Sequence, residues 1–330
     1  MRPGAWGAAQ APGGSVPFLW TAPSGGDGGK MAIRTLDEMV VEARGLGPKT
    51  AAVAAAADPE VLVAMDEAER EGLAHSILVG DAPRIERLRA ELGLTLAHAE
   101  VVHEPDVHRA AAQAVALARE GRAQIVVKGQ LKTSDLLGAA LDRERGLRDR
   151  HLLAHVGIFE VPGFDRLIYI SDSGVVLYPD IYQKLEILRM AVDVAHRFGL
   201  REPKVAILSA SELVHPKMRS SVEALALAKM AEQGWVEGAV VEGPLTLDVA
   251  VSPAAAEAKG IRGPVAGHAD LLIVPGVEAG NTMAKAIQYF GGGRMAGLVV
   301  GAKVPIIINS RADTAETRFL SLAMAVILAP

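Results

Sequence analysis

The sequence predicts an α/β protein built from two parallel-sheet domains, each with helices on both faces of its sheet. Helix-like and strand-like segments alternate along most of the chain, which is typical of a parallel sheet with crossover helices. The chain has 330 residues, whereas single hydrophobic cores stop growing at roughly 250–300 residues. With 50% hydrophobic and 22% charged residues, it carries enough apolar side chains for two cores.

The first segment of the chain differs from the rest. Residues 1–30 are rich in Gly and Pro and have no periodic apolar face. This composition predicts a disordered extension. Patterned sequence begins at Met31.

The first domain is predicted over residues 31–152 and is completed by residues 297–330. Residues 49–70 are Ala-rich with apolar spacing suited to a helix, and residues 76–80 form a short apolar run that ends at Gly80 and Asp81. The same alternation then predicts a helix over 83–92, a strand over 99–102, a helix over 106–120, a strand over 123–127 and a helix over 133–142.

The second domain is predicted over residues 153–296. It begins with strand-like runs at 155–161 and 166–171 around the turn-forming sequence Pro162-Gly163-Phe164-Asp165. Helices follow at 180–198, 217–233, 253–259 and 281–290, with strands at 204–209, 237–242 and 270–274. After three glycines at 291–293, strands at 296–300 and 304–309 and a helix at 314–328 are predicted. We expect these last strands to return to the sheet of the first domain.

Composition excludes several classes of function. The chain has 34 basic and 39 acidic residues, hence a formal net charge of −5, so no basic field attracts nucleic acid or anionic lipid. It has no Cys, which excludes cysteine nucleophiles and thiolate metal sites and suits the reducing cytoplasm. Its longest nearly apolar run, residues 319–329, is shorter than the roughly 18–20 residues that span a bilayer. We expect a cytoplasmic protein without nucleic-acid or membrane partners.

The best candidate site follows the strand predicted at 304–309. In open α/β sheets, ligands bind beyond the carboxyl ends of the strands. Here Ser310 and Arg311 precede a helix, and a hydroxyl, a guanidinium and a helix N-terminus all favour negative charge. The alternative is a surface Arg beside a helix cap made by Asp313 and Glu316, which resembles a capping box.

A second candidate lies between the strand at 123–127 and the next helix. Lys128, Gly129, Lys132 and Thr133 can hold a phosphate group at a helix start. The spacing is not that of a Walker loop, and Thr133 or Ser134 as a plain N-cap is the alternative.

A third candidate is the helix predicted at 281–290, which carries Lys285. Asn281 is either a site residue or the N-cap of this helix. Histidines are scattered without metal-ligand spacing, so we expect them to be solvated and expect no metal site; they are His75, His98, His103, His108 and His196.

Several long motifs resemble the phosphate acetyl/butyryltransferase family. They include VKGQLKTSDLL, HVGIFEVPGFDRLIYISDSG and YFGGGRMAGLVVGAKVPIIINSRADTAETR, and the matching segments keep a consistent order over residues 33–330. Phe-Glu-Val-Pro-Gly and Glu-Gly-Pro-Leu-x-Leu-Asp resemble the butyryltransferase branch more than the acetyl branch.

The resemblance implies an enzyme with its active site in the interdomain cleft, usually a homodimer. It implies exchange of an acyl group between acyl-CoA and phosphate, giving acyl phosphate and CoA. Coenzyme A is then a substrate, with no cofactor and no metal. Ser310 and Arg311 match the Ser-Arg motif that contacts phosphate and the reacting carbonyl. Because the chain lacks Cys, direct transfer without a cysteine acyl-enzyme is expected.

The chain departs from the acetyl-type pattern at three places. Acetyl-type members have two acidic residues where this chain has Glu316-Thr317, so Glu316 is assigned as the base although it lies one residue out of register. Gly138 and Tyr289 stand where those members have Arg. The residues expected to bind substrate are Lys128, Gly129, Lys132, Thr133, Asn281, Lys285, Tyr289 and Arg294.

Two other functions remain open at this point. The two-domain layout also resembles isopropylmalate-type dehydrogenases, which need NAD and a divalent metal held by clustered Asp residues; the candidates here are dispersed at Asp172, Asp180, Asp248 and Asp270. The departures at Gly138 and Thr317 also suit a catalytically inactive CoA-binding subunit.

Overall fold

The structure is a computed structural model that describes residues 31–330, so the predicted extension over residues 1–30 lies outside the described residues. Strands and helices alternate along the chain. The strands are β1 (Lys49–Ala54), β2 (Ala74–Gly80), β3 (Glu100–His103), β4 (Ile125–Lys128), β5 (Ala154–Glu160), β6 (Ile168–Ser171), β7 (Lys204–Leu208), β8 (Val240–Leu245), β9 (Leu271–Ile273), β10 (Arg294–Val300) and β11 (Ile306–Ile307). The helices are α1 (Leu36–Gly45), α2 (Pro59–Arg70), α3 (Ala82–Leu92), α4 (Val107–Arg119), α5 (Thr133–Ala140), α6 (Ile181–Arg197), α7 (Arg219–Glu232), α8 (Leu247–Val251), α9 (Pro253–Ala258), α10 (Val277–Tyr289) and α11 (Ala315–Leu328).

All of these strands form one sheet in the order β3-β2-β1-β4-β11-β10-β5-β6-β9-β7-β8. The first five strands in this order are mutually parallel, and so are the last four. Antiparallel pairing of β10 with β11 and β5, and of β5 with β6, joins the two parallel blocks. The expected α/β class with a mostly parallel sheet is confirmed.

The chain returns to the first block near its C-terminus, as expected. Strand β11 pairs in parallel with β4, while β10 pairs with both β11 and β5. The sheet is therefore continuous through the region where the two domains were predicted to meet. The domain bounds at residues 152 and 296 stay a prediction.

Alternating side chains of the strands enter cores on opposite faces of the sheet. On one face, a single cluster packs α1, α2, α6 and α11 against the sheet, with Ala51 and Val53 of β1 among its members. On the other face, Ala52 and Ala54 of β1 pack with α4 and α5, and a separate cluster packs α8, α9 and α10 over β6, β7 and β9. The result is a three-layer arrangement with a buried sheet.

The helix predicted over residues 49–70 is confirmed only in its second part. Its first part is β1, which pairs with β2 and β4, and only Pro59–Arg70 is helical. Asp58 caps α2 by accepting a hydrogen bond from the Val61 N–H, and Pro59 occupies the first helical turn. The alanines of β1 are fully buried, so sheet pairing and burial override the helical preference of Ala.

The structure also bears on membrane insertion. Across residues 31–330, every helix is too short or too polar to cross a bilayer.

Candidate active site

Two of the sites predicted from sequence meet at one edge of the sheet. Ile307 of β11 pairs with Val127 of β4, and the strands are parallel. Lys128 at the end of β4 and the loop that begins at Ile308 therefore leave the sheet side by side. This edge is where an open α/β sheet places its ligands.

Two cationic side chains are buried at this edge of the sheet. Lys128 is 6% and Arg318 is 5% exposed. Burial lowers the pKa of the Lys128 ammonium, and the nearby Arg318 guanidinium lowers that pKa further. Asp58 and Asp313 act on the same pKa in the opposite direction. Two like charges at a poorly solvated position favour binding of an anion.

The hydrogen bonds of these two cations are few for their donor capacity. Lys128 Nζ donates a long bond of 3.5 Å to the Gly129 carbonyl. Arg318 Nη2 donates to the Ser310 carbonyl at 3.0 Å, while Arg318 Nε is buried without a partner in the described chain. An ammonium has three donors and a guanidinium five, so both groups keep donors for a ligand.

Gly129 allows the chain to turn away from β4 at this point. Its N–H donates to the Ala54 carbonyl at 2.8 Å. A Cβ at this position would lie 2.2 Å from the Ala55 carbonyl oxygen, so no other residue fits without moving the backbone. The structure therefore gives Gly129 a packing role beside Lys128.

Asp313 fixes the loop between β11 and α11. It is 9% exposed. Its Oδ2 accepts the Ser310 N–H at 2.8 Å, and its Oδ1 accepts Lys285 Nζ at 2.9 Å. Lys285 belongs to α10, so this ion pair joins the loop to the second parallel block.

The alternative in which Asp313 and Glu316 cap α11 is wrong. Thr314 is the N-cap, and its side chain accepts the Thr317 N–H. Asp313 lies one residue before the N-cap. Its carboxylate accepts hydrogen bonds from the Ser310 N–H and from Lys285 Nζ instead. Thr317, which is buried, serves the cap at the position where acetyl-type members have an acidic residue.

Ser310 and Arg311 lie at the exposed mouth of this edge. Ser310 Oγ accepts a hydrogen bond from the Ala312 N–H at 3.4 Å. The Arg311 charge lowers the pKa of Lys128, so the guanidinium lies close enough to add to the same positive potential. The structure thus brings Ser310, Arg311 and Lys128 together.

Glu316 and Arg294 form a separate ion-pair cluster. Arg294 Nε donates to Glu316 Oε1 at 2.8 Å, and Nη2 donates to Asp37 at 2.9 Å. Glu160 also contacts this guanidinium, at 3.4 Å. The surrounding carboxylates, Asp37 first, raise the pKa of Arg294. The position of Arg294 is therefore explained by protein carboxylates.

Helix α10 presents three predicted residues at intervals of four. Asn281 donates to the Ser173 carbonyl at 3.4 Å, Lys285 pairs with Asp313, and Tyr289 is 67% exposed. Residues four apart lie on one side of a helix. The alternative that Asn281 is an N-cap is wrong, because α10 begins at Val277 after Gly276.

The second predicted phosphate site is only partly assembled. Lys132 is the exposed N-cap of α5 and makes no side-chain capping bond, and Thr133 is the first helical residue. The alternative that Thr133 or Ser134 caps this helix is wrong. Gly138 is exposed in the middle of α5, with open space where a Cβ would stand.

A partly buried histidine of β5 contacts the segment that follows β6. His155 Nδ1 lies 2.8 Å from Ser173 Oγ. Burial lowers the pKa of His155; Asp172 and Asp313 raise it, and Lys285 lowers it. His155 is therefore neutral near pH 7.

The four acidic residues considered for a dehydrogenase-type metal site have separate local roles. Among residues 31–330 they do not form a group that could share a metal ion. Asp172 accepts three backbone N–H groups, Asp180 caps α6, Asp248 pairs with Lys259, and Asp270 accepts the Lys204 N–H.

Residues 103–326 match the family model described as "Phosphate acetyl/butaryl transferase". The chain belongs to this family. The class of enzyme, a phosphate acyltransferase, is confirmed with it.

Two curated relatives show how much of the chain the family covers. A phosphate butyryltransferase of Clostridium acetobutylicum is 39% identical over 297 residues, which are 90% of this chain and 99% of the relative. A phosphate acetyltransferase of Rhizobium meliloti is 43% identical over 293 residues, 89% of this chain and 93% of the relative.

Solved structures agree with the family. A branched-chain phosphotransacylase from Enterococcus faecalis V583 has a TM-score of 0.77 at 33% identity, and the match covers 85% of this chain and 98% of the phosphotransacylase chain. A putative 4-hydroxythreonine-4-phosphate dehydrogenase from Salmonella typhimurium has a TM-score of 0.56 at 14% identity, and the match covers 86% of this chain and 100% of the dehydrogenase chain. The second likeness shows a shared fold only, so the dehydrogenase alternative is not favoured.

Sequence reasoning missed Arg318 and His155 in this region. Arg318 is a charged residue in an otherwise apolar helix, and that isolation was a usable signal. His155 is the second residue of β5 and gives no comparable signal, because its partners come from distant parts of the chain.

The lowered pKa of His155 predicts an acid-dependent loss of stability. As pH falls, His155 of the unfolded chain takes up a proton near pH 6.5, its ordinary pKa, whereas His155 of the folded chain takes one up only at lower pH. Above pH 6.5 the free energy of unfolding therefore does not depend on protonation of this group. Below that pH it falls by up to about 1.4 kcal/mol per pH unit. Urea unfolding at pH 7.5, 6.5 and 5.5 should show a smaller pH slope for His155→Asn than for wild type. Equal slopes would contradict this account.

Proposed function

We propose that this enzyme transfers a short-chain acyl group, butyryl or similar, between CoA and inorganic phosphate by direct attack. The observation that supports this most is the pair of buried cations, Lys128 and Arg318, beside the exposed Ser310 and Arg311. Such a position suits inorganic phosphate or the phosphate of an acyl phosphate. Acyl-CoA, phosphate and acyl phosphate are the proposed ligands.

The proposed roles follow from the charge that develops during transfer. When the thiol sulfur of CoA attacks the carbonyl carbon of an acyl phosphate, the carbonyl oxygen becomes an oxyanion, and the C–O bond to phosphate then breaks. Arg311 and the Ser310 hydroxyl stabilise that oxyanion and the phosphate. Lys128 and Arg318 hold the phosphate oxygens. The proton leaves the thiol, whose ordinary pKa is near 8.5, and needs a base.

Glu316 is the proposed base. Its side chain is 58% exposed, and the ion pair with Arg294 uses Oε1. Oε2 has no hydrogen-bond partner within the described residues and is the atom we assign to the thiol proton. Arg294 then acts by orienting Glu316.

The remaining predicted residues are proposed to bind substrate. Lys285 and Asn281 hold the loops around Asp313 and Ser173, and Lys132 and Thr133 are proposed to meet the phosphates of CoA at the start of α5. Tyr289 and the 92% exposed Phe290 offer an aromatic surface for the acyl chain.

We further propose that the enzyme uses no cofactor and works in the cytoplasm. The absence of Cys supports the cytoplasmic location. We also propose that the enzyme forms a homodimer or higher homo-oligomer, with the active site in an interdomain cleft.

The acyl chain preference tests the branch of the family. Each buried methylene contributes about 0.8 kcal/mol, so butyryl should exceed acetyl by about ten- to twentyfold in kcat/KM. The measurement is thiol release or consumption with acetyl, propionyl, butyryl and isobutyryl substrates, for wild type and Tyr289→Arg. A preference for acetyl would refute the butyryl proposal. An unchanged longer-chain preference in Tyr289→Arg would remove Tyr289 as its cause. CoA binding without turnover would support the inactive-subunit alternative.

We expect substitution of the two arginines of the proposed anion site to change different kinetic constants. Arg311→Ala should lower kcat about 10²–10³-fold, the usual scale for one oxyanion contact, with little change in melting temperature because Arg311 is exposed. Arg318→Met should raise the KM for phosphate about 10- to 100-fold, the scale of one charged hydrogen bond.

A matched control exists for Arg318→Met. Arg197 donates to the Ile327 carbonyl at 3.0 Å, at the other end of α11. Arg197→Met should leave the KM for phosphate unchanged. Equal effects of the two Met variants on phosphate KM would show that Arg318 acts through stability alone.

Substitution of Glu316 separates a base from a structural partner. Glu316→Gln keeps a hydrogen-bond acceptor for Arg294 but cannot take the thiol proton, so kcat should fall about 10²–10⁴-fold with unchanged stability. Asp37→Asn is the control, since it weakens the same Arg294 cluster without removing the base. A normal kcat in Glu316→Gln would assign the base elsewhere.

A further inference from the structure

A cluster of three metal-ligating side chains lies outside the site described above. Glu69 is near the end of α2, His75 is in β2, and His98 is in the loop between α3 and β3. One donor atom from each lies within 4.8 Å of the other two. The fold thus joins residues that show no metal-binding spacing in the sequence.

Two donor atoms in this cluster are buried without a partner. They are Glu69 Oε2 and His75 Nδ1. The Glu69 side chain is 8% exposed. A buried polar atom without a hydrogen bond costs free energy, and a carboxylate oxygen costs more than a neutral group. A cation bound by the two side chains through these atoms would satisfy both.

The third side chain is already held beside the other two. Glu69 Oε1 accepts the His98 N–H at 3.0 Å and lies 3.3 Å from His98 Nδ1. The rings of His75 and His98 have centroids 4.8 Å apart. The His98 side chain is 68% exposed, so an ion can enter from solvent and keep water in a further coordination position.

We propose that Glu69, His75 and His98 bind a divalent transition-metal ion, with Zn²⁺ as the best match. Two imidazoles and one carboxylate are a donor set that Zn²⁺ uses, and imidazole is preferred by Zn²⁺ over Mg²⁺ or Ca²⁺. The ion would join α2, β2 and the loop before β3. For His75 and His98, this replaces the expectation that they are solvated and hold no metal.

The test measures zinc bound to the full chain without an affinity tag. The protein is stripped with a chelator, loaded with Zn²⁺, desalted and analysed for metal content, and its melting temperature is measured with and without Zn²⁺. Variants are His98→Gln, His75→Gln and Glu69→Gln, with the exposed His151→Gln as the control. Because His98 is mostly exposed, His98→Gln should fold normally.

The proposal predicts about one zinc per chain in wild type and in His151→Gln, with a rise in melting temperature on loading. His98→Gln should weaken zinc affinity at least about 100-fold, since loss of outer-shell partners alone costs 10–100-fold, and should lose the thermal shift. Mg²⁺ should give no shift. Zinc content and thermal shift that are absent in wild type, or unchanged in His98→Gln, would overturn the proposal.

Discussion

The proposed active site depends on two positive charges, Lys128 and Arg318, that are both buried at the end of the β4–β11 pair. Burial lowers the pKa of Lys128 most and the Arg318 charge lowers it further, whereas Asp58 and Asp313 act on that pKa in the opposite direction. The fold holds this arrangement because Lys128 ends a buried strand and Arg318 lies in a helix that is buried along its length. Hydrophobic burial of β4 and α11 therefore positions charges that would separate in water.

The loop between β11 and α11 is held from two directions. Arg318 donates to the Ser310 carbonyl from α11, and Lys285 reaches Asp313 from α10. Asp313 then fixes the Ser310 backbone. A relative movement of α10 and the first parallel block would change the position of Ser310 and Arg311, so the ion pair couples the two parts of the sheet to the proposed chemistry.

Strand ends and glycine-containing loops were well predicted from sequence, because the alternation of elements fixes which residues leave the sheet at a carboxyl end. This is how Lys128, Ser310 and Arg311 were found. Residues 49–54 were predicted wrongly because Ala favours helix locally, while burial between β2 and β4 favours a strand. Arg318 could have been found as an isolated charge in an apolar helix, whereas His155 could not, because its contacts come from distant segments. Glu69, His75 and His98 illustrate the same limit, since only the packing of α2, β2 and the α3–β3 loop brings them together.

The repulsion between Lys128 and Arg318 can be measured by urea unfolding of wild type and Lys128→Met, each with and without inorganic phosphate. If the two charges repel each other until an anion neutralises them, Lys128→Met is at least as stable as wild type without phosphate, and phosphate stabilises wild type much more than the variant. A variant that is less stable than wild type without phosphate, and is stabilised equally by phosphate, would show that the two charges do not form such a site.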